Sequence, residues 1–248
     1  MNTNFSIYKI KLSDACDYGL DSDVIDLSDI SGTNCYLDDN ACIEIDKRIQ
    51  PVPTAGIHFI DSGNYHYMTL LFLRRIREPF NLFVFDNHTD YQESAFGGLI
   101  SCGGWIREAA DTLSYLKSIY LIGTDPDLLS AEKFGDKVFP VLSDSDFNLL
   151  SSFEDDNVPN SEIASPGGLP AYLSIDKDVL SEDYFKANWS QGQMTLSGLL
   201  CKIKSLINNQ RVLGIDICGG TGDDSDTHGN HLNQNADQAI LDTLLSNK

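Results

Sequence analysis

An α/β fold with a mainly parallel sheet is what this 248-residue sequence predicts, on three observations. Short apolar runs rich in β-branched and aromatic residues, at Gly56–Ile60, Leu82–Phe85, Ala171–Ile175 and Arg211–Ile217, read as buried strands. Stretches of helical periodicity fall between them, and strand–helix alternation builds a parallel sheet. Acids begin where two of the runs stop, in Asp86-Asn87-His88-Thr89-Asp90 and in Asp176-Lys177-Asp178. Those are strand carboxyl ends, where open α/β sheets place their ligands.

In chain order, Phe5 to Leu12 alternates as a first strand. Residues 13 to 50 are rich in Asp, Ser, Asn and Gly, with apolar runs only at Val24-Ile25 and Ala41-Cys42-Ile43, and give no clear element. After the Gly56–Ile60 strand, Tyr65 to Arg77 is apolar on most sides and reads as a buried helix. Trp105–Leu116 reads as a helix, Ser118–Ile122 and Val138–Leu142 as strands. Ser151 to Gly168, with Glu154-Asp155-Asp156 and two prolines, reads as a surface loop. Leu196, Leu199, Leu200, Ile203, Leu206 and Ile207 recur on one face of a helix that would pack on the sheet. Gly219 to Asn235 reads as a polar loop, and Asn235 to Leu245 as a closing helix.

At 42% hydrophobic the chain can bury a sizeable core, and residues 1–248 are expected to form a single domain. The formal charge of −20, from 37 acids against 17 bases, argues against nucleic acid or an anionic membrane as partner and allows steering of a cationic substrate. The first residues lack a basic segment followed by an apolar core, and no run approaches the ~18 apolar residues of a membrane span. A cytoplasmic protein is expected. The six cysteines are scattered without Cys-x-x-Cys pairing and read as free thiols.

Asp86, His88 and Asp90 stand at every second residue, as do Asp176 and Asp178. Alternate residues of an extended segment point the same way, so all five can converge on one point. Four converging carboxylates without counter-charge would repel and raise one another's pKa values, a conflict that one or two divalent cations remove. Oxygen-rich ligands with a few imidazoles suit Mn²⁺ better than a closed zinc site.

Asp86-x-His88-x-Asp90 and Ser174-x-Asp176-x-Asp178 resemble the two metal signatures of the ureohydrolases, the arginases and agmatinases. Asp61-Ser62-Gly63-Asn64-Tyr65-His66 is a looser counterpart of a third signature, and the three occur in the family's order over roughly residues 56 to 220. The resemblance implies a three-layer α/β/α arginase-like fold and two Mn²⁺ ions. It implies that His66 and Asp90 complete one metal, His88 and Asp178 the other, and that Asp86 and Asp176 bridge both. By the same resemblance the metals activate a water that attacks the planar guanidinium carbon, with Asp90 accepting its hydrogen bond, to give an amine and urea.

Two departures bear on the substrate. Aligning the last active-site strand on Asp216 puts Gly219 where arginases carry a guanidinium-holding Glu. The loop Ser101-Cys102-Gly103-Gly104 lacks the family's proton-shuttling His, and Cys102 is the nearest candidate. Glu93, Asp125, Asp216 and Asp223 are the nearby acids that could hold a guanidinium, each with a cap, turn or surface role as its alternative. The narrower expectation is arginine in a peptide, converted to ornithine and urea, because Gly97-Gly98 and Cys102-Gly103-Gly104 leave room for a backbone. A free guanidino compound, a one-zinc amide hydrolase of the histone deacetylase type and a metal-binding pseudoenzyme are the alternatives, and self-association stays open. Gly222-Asp223-Asp224-Ser225-Asp226 and Gly229-Asn230-His231 mimic pieces of a metallophosphoesterase, but crowd into one loop instead of lying on separate strands. His228 and His231 read as exposed loop residues, and His58 as a satisfied core histidine.

Overall fold

A computed structural model describes residues 5–13, 22–94, 97–151, 168–220 and 227–246. The first half contains β1 (Ser6–Lys11), β2 (Asp23–Asp26), β3 (Tyr36–Leu37), α1 (Asp39–Ile49), β4 (Gly56–Ile60), α2 (Met68–Leu73), β5 (Phe80–Phe85), β6 (Ile100–Ser101), α3 (Trp105–Thr112) and β7 (Leu116–Ile122). The rest adds α4 (Pro126–Ala131), β8 (Val138–Val141), α5 (Asp144–Ser151), β9 (Ala171–Asp176), α6 (Leu196–Asn209), β10 (Val212–Cys218) and α7 (Thr227–Leu245). Eight strands form one sheet in the order β2-β1-β4-β10-β9-β5-β7-β8, every neighbouring pair parallel. The antiparallel pair β3-β6 stands apart from it. This is the expected α/β/α arrangement with a mainly parallel sheet.

Side-chain alternation along the strands builds the two flanking layers. Leu82 and Val84 of β5 pack with α1, α2 and α3, while Phe83 and Phe85 pack with α5, α6 and α7. Tyr172 and Cys218 face the first layer; Leu173, Ile175, Ile215 and Ile217 face the second. All six residues of α2 are buried, which is why its sequence shows no polar stripe. Helices α1, α4 and α6 start on side-chain caps: Asp38 accepts from Ala41 N, Asp125 from Asp127 N and Leu128 N, and Thr195 from Gly198 N.

Several boundaries differ from the sequence expectation. The buried stretch 65–77 is wound partly as tight turns: a 3₁₀ turn at Gly63–Tyr65 precedes α2, and three-residue bonds such as Arg75 N to Phe72 O and Ile76 N to Leu73 O follow it. The helix expected to reach Leu116 stops at Thr112, because Leu113 is extended and Leu116 already belongs to β7. The expected loop 219–235 is helical from Thr227 onward. Its polar residues misled because one of them, Asn233, is buried and bonds both backbone groups of Lys186. Helices α4 and α5 and the β3-β6 pair are too short to leave a periodic signal. The segment 152–167 and Asp223 lie outside the described residues. Among the described residues no helix is long and apolar enough to cross a membrane.

Candidate metal centre

Register brings the two acidic motifs together. Strands β5 and β9 are neighbours with Phe85 opposite Ile175, so the residues that follow, Asp86 and Asp176, leave the sheet side by side. On the other flank of β9, Cys218 at the end of β10 lies opposite Asp176. The exit of β5 is pinned to that of β7: Asp86 N donates to Ile122 O, Thr124 Oγ1 to Asp86 O and Asp125 N to Asn87 O. His66 enters from the turn between β4 and α2, 1% exposed.

All six expected ligands converge. His66 Nδ1 lies 2.9 Å from Asp90 Oδ2, 3.1 Å from Asp86 Oδ2 and 3.6 Å from Asp176 Oδ2. His88 Nδ1 lies 2.9 Å from Asp178 Oδ2 and 3.4 Å from Asp86 Oδ1. Asp86 therefore turns one oxygen to each imidazole. Three groups of donors each lie within 4.8 Å of one another: His66/Asp86/Asp90, Asp86/His88/Asp178 and His66/Asp176/Cys218.

Surrounding groups orient these side chains. His66 Nε2 faces Ser174 Oγ at 2.8 Å and His88 Nε2 faces Ser190 Oγ at 2.9 Å, so each ring is held by its far nitrogen and aims Nδ1 at the acids. Trp105 Nε1 donates to Asp90 Oδ2 at 2.7 Å. Asp90 itself sits at φ 44°, a left-handed conformation uncommon outside glycine, which brings its carboxylate back over the site. Asn87 N donates to Asp178 Oδ1, and Asp178 N to Asp176 Oδ1.

The electrostatics are those of acids crowded out of water. Burial first, then Asp178 and Asp86, push the Asp176 carboxyl up to about 7. Burial and Asp86 push Asp178 up to about 6. Burial opposes a charged His88, yet its bonds to Asp178 and Asp86 prevail and raise it to about 11. Burial likewise opposes charge on His66, and Cys218, Asp86 and Asp90 together hold its pKa well above the ordinary range. His66 Nδ1 and Asp86 Oδ2, both buried and facing each other, make no hydrogen bond of acceptable geometry. An orphaned imidazole nitrogen and an orphaned carboxylate oxygen, beside the raised carboxyls of Asp176 and Asp178, fit divalent cations bound between them.

These residues line a cavity of about 320 Å³ whose walls also include Cys35, Tyr36, Cys102, Glu132 and Trp189. The other expected site residues are distributed differently. Cys102 is on the wall, but Glu93 is 86% exposed and pairs with Arg107, and Asp125 caps α4. Asp216 lies beneath the site, 1% exposed, accepting from Tyr172 Oη at 2.8 Å and facing His58 Nδ1 at 2.7 Å. His58 is thereby a core histidine, its Nε2 facing Pro53 O. His231 is exposed, although on α7 and not in a loop. Sequence reasoning missed Cys218, Glu132 and Trp189. Cys218 carried a signal, since it ends an apolar strand at the same parity as Asp216; Glu132 and Trp189 carried none.

No protein-family sequence model matches the chain. A Thermotoga maritima protein described only as uncharacterised is 33% identical over 164 residues, 66% of this chain. The match spans 58% of that relative's length. Among solved structures, formimidoylglutamase from Bacillus subtilis superposes with a TM-score of 0.66 at 14% identity, covering 97% of this chain and 85% of that one. Proclavaminate amidino hydrolase from Streptomyces clavuligerus gives 0.66 at 14%, covering 98% and 92%. Arginase from Bacillus cereus gives 0.59 at 12%, covering 98% and 99%. Likeness at such identities speaks for architecture, and this chain has the three-layer α/β/α fold shared by these arginase-type structures.

Proposed function

We propose that the protein is a metal-dependent hydrolase that cleaves the guanidino group of arginine held in a peptide, leaving ornithine in the chain and releasing urea. The observation that carries the reading is Asp86, whose two oxygens serve two donor groups inside one cavity. Proteins of the same fold include an arginase and a proclavaminate amidino hydrolase, which supports an amidino substrate here.

His66, Asp86, Asp90 and Asp176 would hold one cation, and His88, Asp86, Asp176 and Asp178 the other, with Mn²⁺ the proposed ion on the oxygen-rich His88 side. Two divalent cations held there would supply Lewis acidity and a water acidified toward neutrality. The chain's own residues do the rest. Ser174 and Ser190 fix the imidazoles, and Trp105 fixes Asp90 for a hydrogen bond to the attacking water. Burial and Asp90 push the Cys102 thiol up to about 12, so near neutral pH it donates hydrogen bonds and does not take a proton.

Recognition falls to the walls. Among the described residues Glu132 is the one lining carboxylate outside the donor groups, and Trp189 is a half-exposed indole beside His88. Together they suit a guanidinium, by charge and by stacking. No lysine or arginine is among the described lining residues, so the α-carboxylate of a free amino acid has no cationic partner there. An arginine whose carboxylate is tied up in a peptide bond avoids that mismatch, and the net charge of −20 favours its approach. Free thiols at Cys35, Cys42, Cys102, Cys201 and Cys218 suit a reducing compartment, the cytoplasm being the proposed location.

The test is urea release from an arginine peptide blocked at both ends, compared with free arginine and agmatine. A higher kcat/KM on the blocked peptide, with ornithine found in the product by mass spectrometry, is expected. Preference for a free compound would remove the peptide element alone. Absence of urea from every guanidino compound with metals bound would sink the hydrolase.

A further inference from the structure

We propose that Cys218 is a thiolate ligand of the cation at the His66 position, making it a mixed nitrogen, oxygen and sulfur site. Such a site favours a softer ion such as Co²⁺ or Zn²⁺ over Mn²⁺. The inference rests on a cation at this position and not on the guanidino reaction.

Three observations place the sulfur. Cys218 is 1% exposed at the carboxyl end of β10, in register with Asp176. Its Sγ points at Asp176 Oδ2, 3.1 Å away, and groups with His66 and Asp176 within 4.8 Å. Independently of the cysteine, His66 Nδ1 is buried without a hydrogen bond of acceptable geometry, the mark of a nitrogen that awaits a ligand. Cys218 packs at the edge of the first apolar layer, but packing alone would not direct its sulfur at polar groups. The side chain presents it to a carboxylate and an imidazole already aimed at a common point.

The position is also braced. Gly219 N and Gly220 N both donate to Asp61 O, and the Asp61 carboxylate accepts from Leu12 N, Ser13 N and Ser62 N. These bonds fix the chain immediately after Cys218, so the sulfur is preorganised. When the sulfur–metal bond forms, the S–H bond breaks and its proton passes to solvent, adding one negative charge to the donor set. The His88 group contains no sulfur and stays hard, so the two positions differ in the ions they select.

The test uses the full chain, stripped with chelator, checked for its circular dichroism and titrated anaerobically with Co²⁺ alone. A near-ultraviolet sulfur-to-cobalt charge-transfer band is expected, saturating as the His66 position fills. Cys218→Ser should still bind cobalt by elemental analysis but lose the band. A variant with both Cys35→Ser and Cys102→Ser should keep it, and this second variant decides the matter if Cys218→Ser does not fold. A fully cobalt-loaded wild type without the band overturns the proposal, as does a band that survives Cys218→Ser or disappears in the double variant. Urea assays read a separate property: their failure leaves the band expected, and loss of the band leaves the hydrolase reading standing.

Discussion

Gly219 passes so close to Asp176 that a β-carbon on it would stand 2.6 Å from Asp176 Oδ1. Its φ of 100° is also one that side-chain-bearing residues rarely adopt. The position where an arginase-type enzyme is expected to hold its guanidinium is here filled by backbone folded over a carboxylate of the candidate metal centre. Gly219→Glu should therefore fail to build a clamp. It should cost about 1–3 kcal/mol through the strained backbone and displace Asp176. Thermal denaturation and metal content would both fall; a variant of unchanged stability that gains turnover on free arginine would refute this account.

The serines behind the imidazoles give a graded test of the metal centre. Asp86→Asn removes the charge shared by the His66 and His88 groups, and both metals should be lost with the fold retained. Ser174→Ala removes the partner of His66 Nε2, together with the contact of Thr69 Oγ1 at 3.3 Å, and should lower affinity at the His66 position by about 10–100-fold and leave the His88 position filled. Isothermal titration with a single cation would resolve the two steps. Equal weakening of both steps by Ser174→Ala would contradict the separate roles given to the two imidazoles.

How far could the sequence alone go? Strands buried on both faces announced themselves as apolar runs, and Gly56–Ile60 coincides with β4 residue for residue. The acids of the candidate metal centre were legible because they sit at fixed parity just beyond such runs. Recognition residues were not. Trp189 and Glu132 reach the cavity from a loop and from the end of a short helix, where spacing carries no periodic information. Asp216 misled in the opposite way: it resembles a site acid by position, but tertiary packing gives it His58 and Tyr172 as buried partners. Asn233 of α7 read as loop because its partner, Lys186, is 47 residues away in sequence.

Lys177, between two of the metal-site acids, is fully buried and paired with Asp237 of α7, also buried, with its ammonium over the Phe185 ring. The pair ties the closing helix to the underside of the site. Asp237→Ala strips a buried ammonium of its carboxylate and should cost about 3–5 kcal/mol. At about 2–4 °C per kcal/mol for a chain of this size, the unfolding midpoint would fall by roughly 6–20 °C. Replacing both partners together, Lys177→Met with Asp237→Leu, should recover much of the loss. Calorimetry checks both; a single variant as stable as the wild type would show that the pair is not structural.

Trp189 can be tested for substrate recognition apart from the grouped metal donors. The indole is 42% exposed, stands at the cavity wall with its ring 5.8 Å from that of His88, and is held by donation from Nε1 to Asn64 Oδ1 at 2.8 Å. It touches the site without being one of the grouped metal donors, so Trp189→Ala should leave metal content unchanged. A guanidinium stacked on the indole is worth about 0.5–2 kcal/mol, so its loss should raise KM by roughly 2- to 30-fold. The chain has two tryptophans, and the other, Trp105, is fully buried against His66. Titration of the metal-loaded protein with a blocked arginine peptide should therefore change emission chiefly through Trp189, and Trp189→Phe should abolish most of the change. An unaltered KM together with an unaltered fluorescence response would remove Trp189 from the binding site and leave Glu132, among the described lining residues, as the carboxylate able to select a cation.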